Sequence, residues 1–239
     1  MNRPYVICHM LSSLDGRING PFMKEEVTGD LAGEYGRIRM EMNADAWMYG
    51  TTTVKEFLDF RKPVLEEDAC VPEGDFIADD QTKPYLISVD TKGELGWESG
   101  SFSGRGRSET HVIEILTESV SASYRAYLRK HGVSYIIAGK TELDCNAAME
   151  KLYKLFNIKK LLICGGGVVN WTFLQAGMVN ELSLVLSPVT DGSCGNAALF
   201  SQGSESGAGN PVEFELKTMK QIGSGGLLLD YMVKKSNLE

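Results

Sequence analysis

The sequence predicts an α/β fold, three layers deep, with helices on both faces of a mostly parallel central sheet and an antiparallel C-terminal hairpin. Three observations predict it. Apolar runs alternate with segments of helical period through most of the 239 residues. The runs are near-continuous, as in strands buried on both faces. The last two are joined by GSGG (223 to 226), a hairpin signal.

YVICHMLS (5 to 12) reads as the first strand and SLDGRINGP as the turn-rich loop after it. GDLAGEYGRIRMEMN (29 to 43) sets Leu31, Tyr35, Ile38 and Met42 at helical spacing, with Thr28 as N-cap. ADAWMYG (44 to 50) is a strand, TTTVKEFLDF a short helix and KPYLISVD (83 to 90) a further strand. The stretch from Phe60 to Lys83 has acids, prolines and no period, and residues 93 to 109 form a second irregular loop. HVIEILT (111 to 117) resumes a strand and SASYRAYLRKHG a helix closed by glycine. VSYIIAG is a strand, and DCNAAMEKLYKLFN a helix that Asp144 or Thr141 caps. KKLLICGGG runs from strand into glycines, and VVNWTFLQAG is a short helix stopped at Gly177. NELSLVLSPV, a Gly/Ser-rich loop from 190 to 211, and the strands PVEFELKTMKQI and GLLLDYMVKK complete the chain. No repeat or linker divides it, so a single domain over residues 1–239 is expected.

The hydrophobic share of 43% suffices for a substantial core. A net charge of -8 argues against a general nucleic-acid binder, and no run approaches a membrane span. Cys8, Cys70, Cys145, Cys164 and Cys194 are odd in number and form no CxxC pair, which fits a reduced cytoplasm. The histidines at 9, 111 and 131 lack the spacing of a metal site, so no metal is expected. The acidic run Glu66, Glu67 and Asp68 reads as a solvated face.

The segment LLICGGGVVNWTFLQAG (161 to 177) carries the strongest functional signal. Gly165, Gly166 and Gly167 stand at the carboxyl end of a parallel strand, where open α/β sheets bind ligands. Lacking Cβ atoms, they let the backbone approach a bound group, and the amides of the following helix favour an anion. A pyrophosphate suits that place; close packing of helix on strand is the alternative. The spacing is neither GxGxxG nor a Walker loop.

SLDGRI (13 to 18), ADAWMYGTTTV (44 to 54) and ICGGGVVNWTFLQAGMVNELSLVLSPV (163 to 189), in that order, resemble the RibD C-terminal family. These are the pyrimidine reductases of riboflavin biosynthesis, which share the dihydrofolate reductase fold. The resemblance runs from Arg3 to Val233 and is poorest between Leu58 and Thr110. It implies NADPH as cofactor, with Leu11 and Ser13 beside the nicotinamide and Thr53 at the Gly-x-x-Thr contact that begins at Gly50. It further implies Gly165, Gly166, Gly167, Val168 and Asn170 around the phosphates, and Asp90 with Thr91 near the adenosine ribose. Lys92, Arg105 or Arg107 could neutralise a 2′-phosphate, although solvated loop residues are the simpler reading of the two arginines. A homodimer acting on a small molecule is also implied.

The substrate side departs from the pattern. His9 stands where the family carries a lysine, and Cys164 where a glutamate precedes the glycines. KEFLDFRKPV replaces the Asp-Asp-Pro run. Reduction of a C=N bond needs a proton for nitrogen, and His9, Asp15 and Glu41 are the candidates. His9 reads equally as a core histidine, and Asp15 as a turn former. Arg39 or Arg37 matches the arginine that grips a substrate phosphate, and Glu41 and Cys164 border the same side. The expected activity is reduction of a small heterocycle or sugar-imine, foremost a 5-amino-6-(5-phosphoribosylamino)uracil. Dihydrofolate reduction, or dinucleotide binding without turnover, are the alternatives.

Overall fold

The computed structural model describes residues 2–67, 69–104, 107–203 and 209–234. The chain forms two compact units: one holds residues 45–161 with the first four, and the other holds residues 5–44 and 162–239.

In the first unit, β2 (Ala46–Gly50), β3 (Tyr85–Val89), β5 (Arg107–Leu116) and β6 (Ser134–Ile137) pair in parallel, in that order. Every residue of β2 and β3 is buried, which explains the unbroken apolar runs. Trp47, Met48 and Tyr49 are core. Helix α2 (Thr51–Phe57) lies between β2 and β3 and α3 (Ala122–Lys130) between β5 and β6, while α4 (Cys145–Phe156) follows β6. Ser121 caps α3 by accepting from the Tyr124 amide, and Asp144 caps α4 by accepting from Ala147. Residues 101 to 104, expected as loop, form β4 (Ser101–Gly104), antiparallel to β5. The irregular stretch before β3 is tied down. Phe76 and Tyr135 exchange backbone hydrogen bonds, and Asp75 accepts from the Ile137 amide and from Lys151.

In the second unit, β1 (Tyr5–Ser12) pairs in parallel with β8 (Glu181–Leu186). The closing strands β9 (Phe214–Ile222) and β10 (Gly226–Val233) form the expected antiparallel hairpin, with β10 against β8. Helix α1 (Glu26–Glu41) lays Leu31 and Ile38 on Leu11 of β1 and Val185 of β8. It begins earlier than its pattern suggests, after a short 3-10 turn over Pro21–Lys24. Thr28, the expected N-cap, therefore lies within the helix, buried, with its hydroxyl 2.9 Å from that of Ser187. The strand β7 (Lys160–Ile163) leads into α5 (Gly167–Gln175). Among the described residues no helix is long and apolar enough to cross a membrane.

Candidate active site

At the end of β7 the backbone turns at Gly165, whose φ of 102° is open to glycine and strained for other residues. Gly166 occupies the N-cap position in extended conformation, and no side chain caps α5 among the described residues. The first amides of the helix have no intrahelical acceptors, so this end can receive an anion. Gly167 is glycine for a different reason. A Cβ there would stand 2.1 Å from the Ala198 carbonyl oxygen, and the Gly167 carbonyl accepts from the Ser201 amide at 3.0 Å. Gly167 thus serves close packing, while Gly166 remains half-exposed.

Asn170, fully buried one turn into α5, donates to the Leu199 carbonyl at 2.8 Å. Its Oδ1 is buried with no hydrogen-bond partner among the described residues. Val168 is exposed. These residues fit a diphosphate group: helix-start amides without intrahelical acceptors or a side-chain cap among the described residues, a backbone without side chains at two positions, and an amide side-chain oxygen for a nearby hydroxyl.

The SLDGRI loop is locked to the segment from 189 to 199. Leu14 and Ile18 donate to the Val189 and Ala197 carbonyls, and Leu199 donates back to Gly16. Asp15 is the rivet: its Oδ1 accepts from the Ser13 hydroxyl at 2.6 Å and the Asp191 amide at 3.0 Å, and its Oδ2 from Gly192 at 2.8 Å. The Asp191 amide, the Ser13 hydroxyl and the Gly192 amide hold this carboxyl far below the ordinary aspartate range. Asp15 is therefore ionised and engaged, the turn-former alternative, and it has no proton to give at neutral pH. Asp15→Ala is expected to loosen both segments together. Hydrogen exchange at the Asp191 and Gly192 amides should rise at least tenfold while strands β1 and β8 stay protected; unchanged exchange would show that the carboxylate is not the tie.

His9 is fully buried in β1 and faces α1. Its ring lies parallel to that of Tyr35, with centroids 4.4 Å apart and an interplanar angle of 3°. Nε2 stands 3.1 Å from the Tyr35 carbonyl, so Nε2 carries the proton. Burial lowers its pKa to about 4; the Tyr35 carbonyl opposes the shift and Arg39 adds to it. A histidine in this state is neutral at pH 7 and a poor donor there.

The two arginines of α1 differ sharply. Arg37 is exposed and bonded to Glu34 and Glu41. Glu41 is exposed in turn and taken up by that pair. Arg39 is only 5% exposed, with Cζ 5.8 Å from the centre of the Tyr35 ring. Leu11 belongs to the core beneath α1, and the buried Ser13 hydroxyl is occupied by Asp15 and the Arg17 amide. Cys164 is buried near Cys8, whose thiol is pushed well above its usual range, first by burial and then by Cys164. An inert thiol pair is the result.

The remaining expected residues lie in the first unit. Gly50 pairs with Val89, and Val89 with Ile115, so β2, β3 and β5 end level and Gly50 and Asp90 leave the same rim. Thr51 donates to the Val89 carbonyl at 2.6 Å, and Thr53 is half-buried in the first turn of α2. Asp90, expected to face a ribose, turns inward. Its Oδ2 accepts from the amides of Glu94 and Leu95, shaping the turn, and from the Tyr124 hydroxyl at 3.2 Å. That hydroxyl also lies 3.0 Å from Oε2 of Glu114, a fully buried carboxyl that accepts from the Trp97 indole. The Thr91 carbonyl accepts from the Thr117 hydroxyl at 3.0 Å. Arg105 and Asp68 lie outside the described residues.

Sequence reasoning missed the partners: Tyr35, taken for plain core; Glu114, hidden in an apolar strand; and Asp191 with the 189 to 199 segment. A polar residue inside an apolar run, as at His9 and Glu114, is the signal that each needs a partner.

Comparison with known proteins agrees with the fold. Over 97% of this chain and 99% of the relative, it is 26% identical to the 2,5-diamino-6-ribosylamino-4(3H)-pyrimidinone 5′-phosphate reductase of Methanothermobacter thermautotrophicus. A pyrimidine reductase-like protein of Corynebacterium diphtheriae superposes with a TM-score of 0.68 at 21% identity, covering 98% of this chain and 94% of that one. The riboflavin biosynthesis reductase Rib7 of Saccharomyces cerevisiae gives 0.59 at 18% identity, covering 98% and 91%. The RibD C-terminal domain model matches residues 4–228. An α/β chain with a glycine-led helix after β7, matched over nearly its whole length by that model, belongs to the RibD C-terminal domain family.

Proposed function

We propose that this chain is an NADPH-dependent reductase acting on a ribosylaminopyrimidine 5′-phosphate. The observation that carries the reading is the uncapped, glycine-led start of α5 with the orphaned Asn170 oxygen beside it. Gly165, Gly166, Val168 and Asn170 would hold the cofactor's diphosphate, with Leu11 and Ser13 toward the nicotinamide. Gly50, Thr53, Asp90 and Thr91 would serve the adenosine side through backbone and loop shape, since the Asp90 carboxylate faces inward. The cofactor, once bound, supplies a hydride. Arg39, the arginine of α1 that turns inward over Tyr35, would take the substrate's phosphate. His9 and Asp15 are unsuited to proton donation and Glu41 is paired with Arg37, so the proton for nitrogen comes from water.

The named substrate of the Methanothermobacter relative, a 2,5-diaminopyrimidinone, stands beside the phosphoribosylaminouracil as the form to supply. The test offers each, and dihydrofolate, with NADPH or NADH. Oxidation of NADPH is expected with a ribosylaminopyrimidine phosphate, and none with dihydrofolate. Consumption with neither pyrimidine would overturn the reading. The five cysteines are all free, which supports a reducing cytoplasm as its place of action. Leu216 and Met219, exposed on β9, support a homodimer, which light scattering would measure.

A further inference from the structure

We propose that His9 is a positioning residue that acts through Tyr35 to fix the Arg39 guanidinium for the substrate's phosphate. This rests on the reductase reading above and adds a specificity device to it.

The geometry is a two-way latch. The His9 ring donates from Nε2 to the Tyr35 carbonyl at 3.1 Å, and the Tyr35 hydroxyl donates to the His9 carbonyl at 3.3 Å. Each side chain thus grips the backbone of the other, one on β1 and one on α1, while the two rings stack in parallel. A tyrosine held at ring, hydroxyl and backbone has little rotamer freedom left. Arg39 follows Tyr35 by one helical turn, and its guanidinium stands over that immobilised ring. A long arginine side chain ordinarily loses considerable rotamer entropy on gripping an anion; a fixed platform removes part of that loss beforehand.

The imidazole in this latch is uncharged at neutral pH. His9 faces Tyr35 and Arg39 from α1, Ser183 across β8 and, one strand further, Asp230 of β10. Asp230 favours a charged ring, but burial and Arg39 outweigh it, and the pKa falls to about 4. Between pH 5.5 and 9 the ring therefore does not titrate, and a proton-donor role and a positioning role give different pH profiles.

The experiment measures kcat and KM for the phosphorylated pyrimidine and its dephosphorylated counterpart. The proteins are wild type, His9→Ala, His9→Phe, Tyr35→Phe and Tyr35→Leu, with NADPH affinity as control. Binding of ribose 5-phosphate against ribose is followed by calorimetry in the same proteins. His9→Ala and Tyr35→Leu are expected to raise KM for the phosphorylated substrate about tenfold, with kcat and the dephosphorylated substrate changed less than about threefold. His9→Phe keeps a ring to stack and should fall between, and its pH profile should overlay wild type. Equal losses on both substrates, or a fall in kcat with KM unchanged, would overturn the proposal. Should His9→Ala fail to fold, Tyr35→Phe and His9→Phe decide by the same split. Arg39→Met separates the two levels: if it leaves the preference for phosphate intact, the phosphate role of Arg39 fails and the latch with it. If wild type turns over neither substrate, the reductase reading itself is lost.

Discussion

Gly166→Val is expected to weaken NADPH binding by about two orders of magnitude, roughly 2.7 kcal/mol, while leaving the fold in place. The backbone at this position has φ −80° and ψ −173°, which valine adopts without strain. Its isopropyl group would be added at the N-cap of α5, where the proposed diphosphate is held. The neighbouring glycines behave differently. Gly167→Ala drives a methyl group into the Ala198 carbonyl and should cost about 2 kcal/mol or more of stability whether or not a nucleotide is present. Titration of NADPH against tryptophan fluorescence, alongside thermal melts, reads the contrast. Gly166→Val should lose affinity with a near-normal Tm, and Gly167→Ala should lose Tm. Full NADPH affinity in a folded Gly166→Val protein would remove the diphosphate from this turn.

The second large effect lies at Glu114. Its carboxyl is fully buried between the Trp97 indole and the Tyr124 hydroxyl, and Asp90 shares that hydroxyl. Burial first, and then the Asp90 charge, raise its pKa well above the ordinary glutamate value, so it holds its proton more tightly folded than unfolded. Folding then takes up a proton at pH above the unfolded value of about 4.3. Stability is fully present below that pH and falls as pH rises toward the folded pKa. Asp90, also raised by burial, slopes the same way. Glu114→Gln keeps a neutral, hydrogen-bonding group and should flatten this slope, as Tm measured from pH 4 to 8 would show. Glu114→Ala strands the Trp97 indole N–H and opens a cavity, while the Tyr124 hydroxyl keeps the Leu95 carbonyl. A cost of about 3 kcal/mol is expected, some 6–12 °C in Tm for a chain of this size. A slope unchanged in Glu114→Gln would mean that another group carries it.

Patterns that depend on neighbours along the chain were legible in the sequence. Apolar runs located β1, β2, β3 and β8 because their residues are buried on both faces or nearly so. The spacing of Leu31, Tyr35 and Ile38 located α1, and Asp144 its cap on α4. β4 escaped because SFSG has no apolar alternation and gains its order from β5. Thr28 was misplaced as a cap since nothing local reveals that Glu25 already ends the preceding turn. At the site, the glycine turn was legible as a feature, but not the division of labour among its glycines, which a carbonyl some thirty residues later decides. Arg37 and Arg39 are two residues apart on one helix and so face nearly opposite ways. Only the packing of Tyr35 on β1 shows which one turns inward. Asp15 and His9 looked like chemistry from their types alone; their surroundings make one a tie and the other a neutral ring.

The tie between the loop after β1 and the segment from 189 to 199 also constrains how such a chain can evolve. Reciprocal amide bonds from Ile18 to Ala197 and from Leu199 to Gly16, with the Asp15 carboxylate over Asp191 and Gly192, match the two stretches residue for residue. An insertion or deletion in either throws that matching out of step. The two stretches should therefore change length together across descendants of this protein, or not at all, although about 170 residues of sequence separate them.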